Sequence, residues 1–225
     1  MTCKKWRSGM MIIVLKGPTQ HGKFARCLLV AATGAMLSAC AHRASVTAAG
    51  NDGNRDMINL LAASGPHRSL GTQGDLFGRF VGTWDADYSF IAENGTVRHR
   101  RGEVRFGWVL DGHALEDIFM GYPDSTSGER SMVAGIRWVD PKTGKWTLGF
   151  VAPAFDAVVR MEGGAEGDRI VLRGKDSKGV LLRWSFNDIT PNFLIWRGES
   201  SYDGGKTWKL EEEHRLTRRE SRQRP

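Results

Sequence analysis

From residue 82 to residue 217 the chain is a run of short segments with alternating apolar and polar residues, each stopped by turn chemistry. Asn94-Gly95, Asp111-Gly112, Asp140-Pro141, Asp176-Ser177-Lys178-Gly179 and Asp203-Gly204-Gly205 are the clearest stops. They divide the chain into strands expected at 82–91, 96–109, 113–122, 131–139, 145–151, 155–162, 169–175, 180–189, 193–202 and 207–217. No helical periodicity of ten or more residues separates them, so parallel crossovers are excluded and neighbours pair antiparallel. A meander of this many strands leaves two raw edges unless it closes. The expected fold is therefore all-β: an antiparallel up-and-down barrel of about eight to ten strands. Such a barrel is wide enough to hold one small ligand. A short helix is expected just before it, over 75–81, with Asp75 as its cap and Leu76, Phe77, Phe80 and Val81 as its apolar stripe.

The formal net charge of +7 invites a nucleic-acid reading, and its distribution removes it. Residues 1–39 carry six basic side chains and no acidic one, and five Arg fall at or after Arg215. Between these ends the body is slightly acidic, with 21 basic and 24 acidic residues over 40–214. A nucleic-acid partner is not expected.

Lys23 and Arg26 precede an apolar run from Cys27 to Leu37, and small residues Ser38 and Ala39 follow. These are the parts of a secretory signal, and eleven residues are too few to span a bilayer permanently. The sequence Leu37-Ser38-Ala39-Cys40 resembles the lipobox of bacterial lipoproteins. That resemblance implies a signal peptide over 1–39, removed before Cys40, and acyl chains on Cys40 as a membrane anchor. Ala41 in place of Asp implies sorting to the outer membrane, facing the periplasm, in a bacterial cell envelope. The leader is long for the family, and Met10 or Met11 is an alternative start. All three Cys lie at or before Cys40, so the body has no thiol for a disulfide or a metal. Residues 40–74, rich in small and polar residues, read as a flexible tether with one or two helical turns at 57–61. Residues 75–218 form the barrel, and 219–225 read as a basic disordered tail.

Alternation assigns the interior. Val180, Leu182, Trp184 and Phe186 share a face, as do Trp146, Leu148 and Phe150, and Val104, Phe106 and Trp108. Seven Trp lie beyond residue 40, enough either to fill a barrel or to line a cavity for an apolar ligand. On the strand at 193–202, Phe193 and Ile195 align with Arg197, Glu199 and Ser201. On the last strand, Trp208 and Leu210 align with Glu212, His214 and Leu216. If both faces point inward, Arg197, Glu199, Glu212 and His214 converge beside Trp184 and Phe186. Two readings of that set stand: an ion-paired rim, or acid–base machinery with His214, Glu212 and Arg197 as the catalytic candidates. A rival set places His113 and Asp117 with Leu115 and Phe119, or Glu116 on the opposite face. His99, His113 and His214 sit at unrelated spacings, so no metal is expected, and no cofactor motif is present.

Gly82-Thr83-Trp84, following a short helix and opening an antiparallel meander, resembles the Gly-x-Trp start of lipocalins and related calycin barrels. That resemblance implies that Trp84 plugs the closed end, packed under a basic residue late in the chain, here Arg197 or Arg215. The later lipocalin motifs are not evident, and ten strands exceed that family's eight. The Val-Gly-x-Trp start and Trp108-Val109-Leu110-Asp111-Gly112 are more similar to bacterial lipocalin-like domains of unassigned function, over 76–216. Ser201-Tyr202-Asp203-Gly204-Gly205-Lys206-Thr207-Trp208 is similar to the Asp box of sialidases, a structural hairpin in that family. Here it occurs once and reads as a turn held by Asp203 and covered by Trp208. The functional expectation is a membrane-anchored protein that binds or carries a small apolar or amphipathic molecule. Alternatives are a hydrolase or isomerase using the cavity, or a structural envelope protein.

Overall fold

The computed structural model describes residues 49–123 and 128–220. The expected signal peptide, Cys40, Ala41 and residues 221–225 lie outside the described residues. Ten strands follow in order: β1 (Gly82–Ile91), β2 (Val97–Val109), β3 (Ala114–Gly121), β4 (Met132–Val139), β5 (Trp146–Ala152), β6 (Ala157–Glu166), β7 (Arg169–Lys175), β8 (Leu181–Asn187), β9 (Phe193–Ser201) and β10 (Lys209–Arg218). Each pairs antiparallel with its sequence neighbours, and β1 pairs with β10, which closes the barrel. The expected up-and-down barrel is what forms, at the upper end of the expected strand number.

The N-terminal segment differs from expectation. Helix α1 runs Ala49–Leu61, well beyond one or two turns, and it occupies part of the stretch expected to be a tether. No helix among the described residues is long and apolar enough to cross a membrane. After α1 the chain is laid along the end of the barrel. Leu61 O accepts from Leu110 N at 2.9 Å, and Ala63 N donates to Trp108 O at 2.9 Å. His67 N donates to Gly112 O at 2.9 Å. The approach needs glycine at 112: its φ is 78°, and a Cβ there would overlap the backbone of Gly65 and His67. A 3-10 turn over Arg68–Gly74 leads into the short helix α2, Asp75–Gly78. Asp75 is a helical residue rather than the cap, because the 3-10 turn already runs up to it and Gly74 takes the cap position.

Turn Arg68–Gly74 and α2 deliver a plug to one mouth of the barrel. Leu70, Phe77 and Phe80 are buried there with Trp84. Phe77 meets Trp146 and Phe186 edge-on, and Phe80 stacks on Phe186 at 5.2 Å. Trp84 is fully buried, and its Nε1 donates to Phe80 O at 2.7 Å. The basic residue over it is Arg218, with its guanidinium 4.2 Å from the indole centroid. Neither Arg197 nor Arg215 takes that place: both ion-pair with Glu213 on the outer wall. Arg218 is fixed by donating to the carbonyls of Arg79 (2.6 Å), Val81 (2.7 Å) and Pro191 (2.7 Å). The next residue, expected to begin a disordered tail, is also bonded: Arg219 pairs with Asp85 and, at 3.0 Å, with Glu103.

Halfway down, the interior contains a buried ion pair. Asp117 and Arg137 face each other across β3 and β4 with side chains 2% and 3% exposed. The Arg137 guanidinium lies 5.2 Å from the Phe77 ring and 5.7 Å from Phe186, on the plug side. Burial pulls the Arg137 pKa down to about 9, which leaves it charged at neutral pH.

Candidate functional site

Below that pair, toward the unplugged end, the interior changes character. Tyr88 and Phe90 enter from β1, Phe119 from β3, Phe150 from β5, Trp184 from β8, Trp196 from β9, and Glu212 and His214 from β10. His214 is 4% exposed and sits among four rings. Trp196 stacks on it at 4.7 Å and 15°, Tyr88 meets it edge-on at 4.9 Å and Phe90 at 5.4 Å, and Phe119 lies 6.3 Å away. Trp184 crosses Trp196 at 5.4 Å, and Phe150 packs edge-on against Trp184 at 5.0 Å. Phe119 and Phe150 are only partly buried, so the mouth is walled by aromatic edges.

Polar groups in this space are few. The Glu212 carboxylate lies 3.1 Å from His214 Nε2. Tyr88 donates its hydroxyl to the Glu103 carbonyl at 3.0 Å, and burial pushes its pKa up. Gly102 makes that possible, since a Cβ there would overlap both the Tyr88 ring and the Met120 carbonyl. Glu211 accepts from the Ser200 hydroxyl at 2.8 Å and the Tyr202 hydroxyl at 2.9 Å. Burial and that bond raise the Tyr202 pKa to about 12. Four buried polar atoms have no hydrogen-bond partner among the described residues, and two of them lie here, Nδ1 of His214 and Nε1 of Trp184; the others are Arg137 Nε and Thr147 Oγ1. Buried polar atoms are ordinarily satisfied, so two in one aromatic cluster single this end of the interior out.

The expected site residues divide. Glu212 and His214 do face inward and meet. Trp184 stands in the same cluster. Phe186 faces inward but is spent on the plug, against Phe77 and Phe80. Arg197 and Glu199 do not join them. They point outward, where Arg197 bonds Glu213 at 2.9 Å and Arg183 bonds Glu199 at 2.7 Å. The physical reason is that β9 is apolar on both faces at its start, and Leu194 and Trp196 rather than Phe193 and Ile195 take the interior. On β10 a register shift between Leu210 and Glu212 breaks the alternation. Leu210 consequently pairs with outward Glu199, while Glu212 pairs with inward Gly198. Trp208 lies outside too, covering Arg183 at 4.3 Å.

The rival set also divides. Asp117 is buried against Arg137, as described, whereas Glu116 faces outward with its pKa raised by partial burial. His113 stacks on His67 at 3.9 Å at the plugged end, and His99 bonds Ser89 at 3.1 Å on the outer wall. The three His of the barrel are therefore dispersed. The Asp203 hairpin has the local bonds expected of a turn: Ser201, Thr207 N and the Thr207 hydroxyl all donate to its carboxylate. The Thr207 bonds hold the Asp203 pKa down to about 2.

A concavity of about 580 Å³ lies at the plugged end between Gln73, Leu76 and the β6–β7 hairpin. Glu166 and Arg173 on its wall bond each other, with Nη2 to Oε2 at 3.0 Å, so it offers a ligand less than the aromatic mouth does.

No family model and no curated protein sequence matches the chain. Among solved structures, the chain is similar to an S-type phycobiliprotein lyase from Guillardia theta, at 14% identity and a TM-score of 0.47, covering 65% of this chain and 92% of that one. It is also similar to a redesigned β-barrel at 12% identity and a TM-score of 0.36, covering 64% of this chain and 96% of that one. Likenesses this distant add nothing to the reading of the site, which stands on its own geometry.

Proposed function

We propose that the open end of the barrel binds a small apolar or amphipathic molecule against His214 and Trp184. The observation that carries this is the pair of buried, unpartnered polar atoms within an aromatic wall. Rings supply the area and the two nitrogens supply orientation, which is the usual economy of a small-molecule site. N-phenyl-1-naphthylamine, an apolar fluorophore, is a suitable probe. It should quench tryptophan emission through Trp184 and Trp196, and His214→Phe should weaken its binding about tenfold, or ~1.4 kcal/mol. Native mass spectrometry of protein from its host should show a retained small molecule. Absence of quenching together with a ligand-free native mass would leave the barrel a solid structural body.

The reading extends to location. The lipobox-like Leu37-Ser38-Ala39-Cys40 supports a barrel anchored through acylated Cys40 in a bacterial envelope, at the outer membrane facing the periplasm. Labelled palmitate should enter the protein in its host and be lost in Cys40→Ser. Equal labelling of both would remove the anchor.

A further inference from the structure

We propose that Glu212 and His214 form a general base that removes a proton beside a carbonyl group of the bound molecule, with the Trp184 indole N–H holding the carbonyl oxygen. This rests on the binding reading above and adds a reaction to it.

An ionised carboxylate only accepts, so the 3.1 Å contact with Glu212 places the hydrogen of a neutral His214 ring on Nε2. The lone pair is then on Nδ1, the buried atom with no partner among the described residues. A carboxylate that fixes one imidazole nitrogen so that the other acts as base is the arrangement by which hydrolytic triads orient their His. Here the free nitrogen has no hydroxyl nucleophile bonded to it, and the imidazole sits among aromatic rings. The rings packed most closely on His214 are Trp196, Tyr88 and Phe90, and the Tyr88 hydroxyl is already committed to backbone carbonyls.

Trp184 supplies the complement. Indole Nε1 is a donor only, and here it donates to nothing among the described residues. Trp196 stacks on His214 and crosses Trp184, so the base and the donor flank one ring. A ketone over that ring can accept the N–H on its oxygen while its adjacent C–H meets Nδ1. The C–H bond breaks and its proton goes to Nδ1. Its electron pair forms a carbon–carbon double bond as the carbonyl π pair moves to oxygen, giving an enolate held by Trp184. The proton then returns to the same carbon or to a conjugated one. The net reaction is exchange or isomerisation, with no co-reactant. Poor hydration strengthens the single hydrogen bond to the enolate.

Other charged groups face this space from neighbouring strands. Glu211 is held by Ser200 and Tyr202. Arg98 and Arg100 share the β2 face that pairs with Phe90 and Tyr88, nearer the mouth.

The test is α-proton exchange of 2-tetralone in D2O followed by NMR, with binding followed separately by tryptophan quenching. The full chain should accelerate exchange at least about 10²-fold over buffer, the lower range for a positioned base. His214→Gln should abolish the acceleration. Glu212→Gln should keep tetralone affinity within about twofold and lose about tenfold in rate, since Glu212 acts through His214. Trp184→Phe should lose about tenfold in rate. Circular dichroism checks the fold of each variant. Quenching by tetralone with exchange at the buffer rate, or acceleration surviving in His214→Gln, overturns the proposal and leaves binding intact. Quenching by the naphthylamine but not by the ketone removes the proposal alone. No quenching by either, together with a ligand-free native mass, removes both.

Discussion

Asp117→Ala should destabilise the barrel by about 3–5 kcal/mol, the cost of leaving one member of a buried ion pair uncompensated. Arg137 would keep its charge with both side chains' surroundings sealed from water: the pair is 2% and 3% exposed, and two aromatic rings close over the guanidinium. Its Nε already lacks a partner among the described residues, so little remains to hold the charge once the carboxylate is gone. Replacing both together, as Asp117→Leu with Arg137→Met, should recover most of the loss, because two apolar side chains of similar size need no desolvation. Urea titrations of the two single variants and the double variant close the cycle. A single-variant cost below about 1 kcal/mol would mean that water reaches the pair and that the interior is wetter than its burial indicates.

Trp84→Ala is the second large effect, at about 3–5 kcal/mol for truncating a fully buried indole, with a fall in melting temperature on the order of 10 °C. The loss goes beyond the cavity. Trp84 is the surface on which Arg218 lies, and Arg218 in turn ties the carbonyls of Arg79, Val81 and Pro191, joining the plug to the β8–β9 connection. Arg218→Met keeps the indole and removes the ties, so it should cost less, about 1–2 kcal/mol. Hydrogen exchange should show where that loss is felt: faster at residues 79–84 and 191–194, unchanged in β4 and β5. Uniform acceleration across the barrel would show that Arg218 supports the whole wall rather than the plug.

The strands were legible because two independent signals agreed along most of the chain: side-chain alternation, and Gly- or Asp-led turns that cannot continue a ladder. β1 and β7 begin and end where that reading places them. The site was half legible for a physical reason that differs from strand to strand. On β9 the tetrad Phe193-Leu194-Ile195-Trp196 is apolar on both faces, so alternation cannot say which pair is inside, and Arg197 and Glu199 were carried to the wrong side with it. On β10 the extra residue at Glu211 resets the parity, which no local pattern announces. The partner of Trp84 was missed because Arg218 reaches its place through carbonyls far away in sequence. Strand β4 gave the least warning. Its inward Arg137 makes sense only beside Asp117, while Ile136 and Trp138 face the other way and stay partly exposed.

The strap that leaves α1 has a mechanical consequence. Its bonds to Trp108, Leu110 and Gly112 all lie at the plugged end, so the segment that follows α1 is fastened to the barrel on that side, opposite the aromatic cluster. A pull on the N-terminus would meet those bonds one after another, as a zipper is opened, before any strand of the barrel carried load. The strap would yield first and the wall would stay closed. A barrel strapped in this way lengthens at the strap under tension while its ladder of strands stays intact.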